Sequence, residues 1–244
     1  MRMNYKWIKV VFLMIFKVYA DSDFWITVKV GKRFLETDGL SQDLKVNRKT
    51  SCGSLCSTIH SCNIWCHYEK TKCILISTIV SPSYKETSQD FLECYTRKRR
   101  DIVVGSDTYS YEPESPDTKS ELAADGIYSQ NHGRHFLTKY TRDPWVIFDL
   151  KQSANIYEII IKTKVKKLCG NLFIKIGRTL VEDGNFTTYR QLYSVFDLCN
   201  YDDEYIHFKS AKPLEGRYVA VIRYDIYTVL WFNHIEIDGE FIDN

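Results

Sequence analysis

The 244-residue chain carries 33 lysines and arginines against 31 aspartates and glutamates, a formal net charge of +2, so nothing in its overall balance calls for a polyanionic partner. Aromatic residues make up 14% of it, and 11 glycines and 5 prolines are modest numbers, which excludes a low-complexity or disordered chain.

The first residues read MRMNYKWIKVVFLMIFKVYA. Arg2, Lys6 and Lys9 precede an uncharged apolar run from Val10 to Phe16, and Val18-Tyr19-Ala20 supplies small residues where a signal peptidase cuts. That order predicts a secretory signal over residues 1–20. The run is far shorter than the roughly 20 apolar residues that a membrane helix needs. Lys9 and Lys17 interrupt it, which leaves an uncleaved anchor or an N-terminal strand as the alternatives. The mature chain is expected to be secreted and extracellular, starting near Asp21. About 220 residues then remain, enough for one large or two small domains.

The cysteines agree with export. They fall into two even groups, Cys52, Cys56, Cys62, Cys66, Cys73 and Cys94, then Cys169 and Cys199. Even groups are expected where each domain closes its own disulfides in an oxidising compartment. A zinc site built from the first four is the rival reading, but their spacing lacks the short CxxC knuckles of zinc modules. Spacing alone leaves the pairing of the first six open.

The first segment, 21–95, begins with an extended run, FWITVKV, and a glycine-containing turn. Cys52 and Cys56 stand four apart, so on a helix both sulfurs project from one face. NIWCHYEKTKCILI reads as a hairpin, with Ile64, Cys66 and Tyr68 alternating with Trp65 and His67 before a charged turn leads back to Cys73. A small domain with a thin core needs such staples. The order of a strand, a helix bearing C-x3-C, a further Cys, the aromatic NIWCHY strand and a return-strand Cys resembles the PAN/apple family. The resemblance implies Cys52–Cys73 and Cys56–Cys62 bridges. Cys66 and Cys94 are left over and could pair with each other, which departs from that family's usual frame.

Arg97-Lys98-Arg99-Arg100 falls in a linker expected over 96–104. In an exported chain with no interleaved aromatics, nucleic acid is not expected as its partner. A solvated joint is the preferred reading, because charge runs usually sit on exposed backbone. A furin-type processing site is the sharper alternative.

From 105 to 244 the chain is a series of short strands without a long helix, which predicts a β-sandwich. PWVIFDL places Val146, Phe148 and Leu150 on one face. IYEIIIKTKV, apolar almost throughout, reads as a strand buried on both faces. NLFIKIG, YIHFKSA, GRYVAVIRY and WFNHIEIDGEF follow as separate strands. The phrases DIVVGSDTYSYEP, SELAADGIYS, TRDPWVIFDLKQSANIYEIII, NLFIKIG, PLEGRYVAVIRY and FNHIEIDGE together resemble the discoidin, or coagulation factor 5/8 type C, family, and within it the fucolectin branch of F-type lectins. The resemblance implies a mainly β chain: a galactose-binding-like jelly roll with a binding site in the loops at one end, preceded by the small α+β disulfide-rich module.

Sugar binding in that branch rests on a histidine before the PWW strand, then an Arg-x-Asp and a further basic residue. Here the histidine position reads Leu137, with His135 two residues away. Lys164 or Lys166 stands for the arginine, and the aspartate is absent. Lysine lacks the planar fork of arginine, so fucose recognition is expected to be altered. Lys162, Lys164, Lys166 and Lys167 crowd one strand end, near His132, Arg134 and His135 if the family fold holds. That cluster would suit a sulfated or sialylated glycan, although alternating lysines can also be a strand's wet face. The resemblance further implies a calcium ion with Asp125 as a carboxylate ligand. Its acidic partner aligns with His234, and Glu236, two residues on, could replace it. Asp125 capping its own loop is the plainer alternative. Asn185-Phe186-Thr187 is a glycosylation sequon, and Cys169 and Cys199 are expected to bridge two loops.

No GxSxG, HExxH or phosphate loop occurs, and no histidine has a readable nucleophile partner, so an enzyme is not expected. The expected function is lectin-like recognition of cell-surface or microbial glycans, in innate defence or adhesion, with oligomerisation left open. The alternative is a discoidin-type adaptor for glycoproteins or phospholipid surfaces.

Overall fold

The computed structural model describes residues 25–32, 44–45, 49–59, 62–68, 72–97, 101–128, 135–163, 171–194, 205–224 and 227–242. The signal read over 1–20, the basic residues 98–100, Lys164, Lys166, Cys169 and Cys199 lie outside them.

The first module is an antiparallel sheet with one helix. β1 (Trp25–Gly31), β2 (Leu44–Lys45), β3 (Ile64–Tyr68), β4 (Lys72–Ile76) and β5 (Phe91–Arg97) are ordered β1-β5-β3-β4-β2, and α1 (Lys49–Thr58) packs on β3 and β4. The helix sequence KTSCGSLCST is rich in serine, threonine and glycine, all poor helix formers, so covalent ties matter more than propensity. Cys52 is bonded to Cys73 of β4, and Cys56 to Cys62 at the helix exit. Cys66 and Cys94 face each other across β3 and β5 and form the third bridge. The bridges that close spans of 21 and 28 residues are each worth about 3 kcal/mol through the unfolded chain. Gly53 lets the helix lie flat on Trp65, since a Cβ there would sit 3.2 Å from the indole. Trp65 in turn stacks on Tyr95, with centroids 4.1 Å apart, and meets the edge of Trp25.

The second module is a β-sandwich. Its strands are β6 (Asp107–Ser110), β7 (Phe136–Leu137), β8 (Thr141–Arg142), β9 (Trp145–Lys162), β10 (Leu172–Gly177), β11 (Arg190–Ser194), β12 (Tyr205–Arg223), β13 (Tyr227–Thr228), β14 (Trp231–Phe232) and β15 (His234–Phe241). The long antiparallel β9–β12 ribbon is its spine. The first half of β9 pairs with β6 and the second half with β15. One half of β12 pairs with β10, and the other meets β11. Bulges in mid-ribbon let one pair of strands serve both layers.

Two sequence expectations change here. PWVIFDL and IYEIIIKTKV are one strand, as are YIHFKSA and GRYVAVIRY. The polar residues between them read as turns, but Lys151 takes φ 68° while its N–H donates to Asp149 Oδ1 at 2.8 Å, so a bulge forms and pairing resumes. Gly216 is where β12 passes β10, because a Cβ there would come 2.4 Å from Ile176 Cγ2. The half of β9 buried on both faces is also the first, not the second. Val146, Phe148 and Leu150 enter the main core as expected, while Ile147 on the opposite face is covered by Phe186, Tyr189 and Tyr218. In the second half Ile156, Ile159 and Ile161 are buried, but Glu158 faces outward and binds His207 Nδ1 at 2.6 Å and Lys209 Nζ at 3.1 Å.

The linker is shorter than 96–104. Thr96 and Arg97 complete β5, and Thr96 is buried with its hydroxyl donating to Val80 O. Asp101 and Val103 already belong to the sandwich interior. The modules also meet along a second seam, where Ser81 N–H donates to Gly126 O at 2.7 Å and Tyr128 N–H to Ile79 O at 2.9 Å. Ile127 lies in the first module's core with Val28, Val30, Ile64 and Val80.

Asp149 anchors the spine through a bidentate bond with Arg217 at 2.6 and 2.8 Å. The Arg217 guanidinium, helped by the Lys151 N–H and opposed by burial, holds the Asp149 carboxyl below its ordinary value. A depressed folded-state value means stability that is present above the unfolded value of about 3.9 and lost as pH falls through the folded one. Asp149→Asn should therefore cost about 2 kcal/mol at neutral pH and flatten the acid limb of a Tm-against-pH curve measured by circular dichroism. An unchanged acid limb would mean that the pair contributes nothing to the ribbon.

Candidate functional site

β9 ends at Lys162, which pairs with Tyr205 of β12 on one side and His234 of β15 on the other. Its side chain is buried, an unusual place for an ammonium, and is compensated there. Nζ donates to Tyr128 O at 3.1 Å and lies 5.3 Å above the Tyr205 ring, while Lys162 O accepts from Asn233 N–H at 2.8 Å. Tyr128, Thr163 and Tyr205, which border the segments 129–134, 164–170 and 195–204 in sequence, therefore lie around Lys162. Lys164 and Lys166 belong to the second of these segments, outside the described residues, and their positions are not assigned.

His135 is described. It is half-buried, and its ring centroid lies 5.5 Å from that of Trp231. It opens a short two-stranded ribbon in which Phe136 faces Phe232, Leu137 faces Trp231, Thr141 faces Thr228 and Arg142 faces Tyr227. Between these pairs, Thr138 N–H donates to Leu230 O at 3.1 Å and Leu230 N–H to Thr138 Oγ1 at 2.9 Å. Phe136, Thr138, Leu230 and Phe232 are buried in the sandwich, while on the alternate face Tyr227 is exposed and Val229 and Trp231 are half-buried, with the Trp231 Nε1 shut off from solvent. Tyr140 and Tyr227 are 72% and 66% exposed, and their rings lie 6.3 Å apart at 28°. Arg223 backs the ribbon. Burial pushes its guanidinium below the usual value, and it donates to Thr228 Oγ1 at 2.8 Å and Val229 O at 3.3 Å. Burial, with the nearby Asp143 charge, raises the neighbouring Tyr224 hydroxyl. Sequence reasoning singled out none of Trp231, Tyr140 and Tyr227. Each sits in a phrase that reads as ordinary strand or loop, and only the outward turn of the ribbon brings them together.

The residues expected to hold calcium are arranged for other work. Asp125 Oδ1 accepts from Ile127 N–H at 2.8 Å and caps its own loop. The next loop carbonyl, Tyr128 O, is held by the Lys162 ammonium. His234 is buried with Nε2 3.3 Å from Asp101 Oδ2, and Glu236 is buried on β15 opposite Ile160. A hard cation wants six or more oxygens. Among the described residues no three His, Cys, Asp or Glu side chains converge on one point, and a cation already occupies the loop carbonyl.

A fucolectin from Morone saxatilis (striped bass) serum is 17% identical, with a TM-score of 0.51, and covers 71% of this chain. The chain spans 58% of that lectin's length. A fucose-binding module of Streptococcus pneumoniae is 18% identical over 56% of this chain and 96% of its own, with a TM-score of 0.45. A chitosan-binding module of a Paenibacillus sp. IK-5 chitosanase/glucanase is 12% identical over 57% and 98%, with a TM-score of 0.44. No family model and no curated protein sequence matches the chain. The fucolectin likeness shows the fold: the sandwich is a jelly roll of the galactose-binding-like kind.

If the Lys162 ammonium holds the Tyr128 carbonyl, chelation should leave the Tm unchanged. Lys162→Met, which orphans that buried carbonyl, should cost about 1–3 kcal/mol. Thermal melts with and without EDTA check both. A Tm that falls on chelation would show that a metal stabilises this loop after all.

Proposed function

We propose that the protein is a secreted, non-enzymatic recognition protein that binds carbohydrate at the loop end of its sandwich. The observation that carries this reading is the buried Lys162 at the end of β9, which gathers Tyr128 and Tyr205 beside the ribbon that bears His135 and Trp231. In this reading His135, Lys164 and Lys166 grip the hydroxyls or acidic groups of a glycan, and aromatic faces cover its apolar side. The fold shared with a serum fucolectin supports sugar as the ligand class. Lysines in place of an arginine fork favour an anionic glycan over fucose alone.

The first module is read as PAN/apple-like, because its three bridges are the pairs that the resemblance implies or leaves over. Three disulfides and the exposed Asn185, just before the short helix Phe186–Thr188, suit an extracellular glycoprotein.

The test is a glycan array probed with the full chain, since Gly126 and Ile127 are covered by the first module. Binding competed by free saccharide is expected, with sulfated or sialylated glycans ahead of neutral fucosylated ones. His135→Ala should weaken it about tenfold, the equivalent of one good hydrogen bond. A blank array from folded protein would overturn the reading and favour a protein- or phospholipid-binding adaptor.

A further inference from the structure

We propose that the outward face of the β7–β8/β13–β14 ribbon is an extended saccharide subsite whose floor is the stacked pair Tyr140 and Tyr227. The proposal rests on the carbohydrate reading above and says where along the surface the chain of sugars runs. Tyr140 and Tyr227 are the two most exposed of the large apolar side chains among the described residues, at 72% and 66%. A soluble surface carries single exposed aromatics without consequence, but two rings side by side form a continuous apolar shelf. At 6.3 Å and 28° the rings are close to parallel, so the stacked pair forms one exposed aromatic cluster against which a flat ligand face can pack. The axial C–H face of a pyranose has that shape, and its hydroxyls then point outward and sideways.

The groups beside the shelf suit those hydroxyls. Arg142 lies directly across from Tyr227 in the ribbon, and Asp143 follows it. Their side chains are 61% and 38% exposed, and Arg142 Nε stands 3.6 Å from Asp143 Oδ2, a loose pair that offers a donor and an acceptor together. A neutral sugar needs both, whereas a phosphate or sulfate would need the donor alone. Asp143 also holds φ 54°, a left-handed backbone that costs a non-glycine residue energy and fixes where the carboxylate starts.

The shelf is preorganised from behind. Buried Arg223 holds Thr228 and Val229, and Thr138 and Leu230 lock the ribbon's two strands together. A rigid platform loses little freedom on binding. From Tyr227 the outward face continues through Val229 to Trp231, beside His135, about 13 Å along the strand at the usual rise per residue. The ribbon thus joins the His135 end to the tyrosine shelf, and the ligand it fits is an oligosaccharide with its apolar faces down, not a single ring.

The experiment uses the full chain and the glycans that wild type selects on the array, compared with the terminal monosaccharide of each. Tyr140→Ala and Tyr227→Ala should each weaken oligosaccharide binding about tenfold, and leave the monosaccharide nearly unaffected. Tyr140→Phe and Tyr227→Phe should keep most of the affinity, because the ring and not the hydroxyl supplies the shelf. Equal affinity of the double alanine variant and wild type for the oligosaccharides would overturn the subsite and leave the lectin reading standing. Loss of binding to phosphatidylserine vesicles, with glycan binding intact, would make the shelf a lipid contact and overturn it likewise. A wild type that binds no glycan at all would overturn the carbohydrate reading and the subsite with it.

Discussion

The carboxylate of Asp101 is the constraint on which the rest of the molecule depends. It is fully buried, which would be prohibitive for an unpaired charge, and four groups converge on it. Val103 and Ile237 donate backbone N–H groups to Oδ1, while the Tyr128 hydroxyl donates to Oδ2 and His234 Nε2 approaches it. These partners come from the segment that enters the sandwich, the loop 125–128 and β15, so one side chain ties the start of the sandwich to its end. Removing a partner from such a buried node costs about 1–3 kcal/mol, because a buried polar group loses a hydrogen bond that water cannot replace.

Through Tyr128 the same node reaches both the modules' seam and the site. Ile127, one residue earlier, fills the first module's core, and Gly126 passes close enough to Ser81 that a Cβ would sit 3.2 Å away. Tyr128 O accepts from Lys162 at the end of β9. A mechanical line therefore runs from the disulfide-stapled module, through residues 126–128, to the strand end where a ligand is proposed to bind. The first module is accordingly more than a tethered neighbour, since its core covers part of the loop that shapes the site.

What the sequence shows and what it hides divide along physical lines. Cysteines are few and their bonds covalent, so Cys52–Cys73 and Cys56–Cys62 follow from a resemblance, and Cys66–Cys94 from what is left. Alternation in PWVIFDL correctly marks Val146, Phe148 and Leu150 as core. The continuity of β9 and β12 is hidden because a bulge at Lys151 and the Pro213–Gly216 stretch use the same residues as turns. Burial of Ile147 is hidden because its cover, Phe186 and Tyr189, lies some 40 residues further along the chain. Asp101 looks like part of a solvated joint beside four basic residues, and apart from Val103 its partners are 27 to 136 residues away. The outward tyrosines are the same kind of case: exposure depends on which way a ribbon turns, and composition carries no record of that.

Ligand is proposed to bind at the end of the sandwich marked by Lys162, His135 and Trp231. The most direct measurement is a crystal structure of the full chain with the saccharide that binds best in solution. Sugar density is expected beside His135 and Trp231, extending over Tyr227 towards Tyr140. Density at another surface, such as the bulge end marked by Asp149 and Arg217, would contradict it.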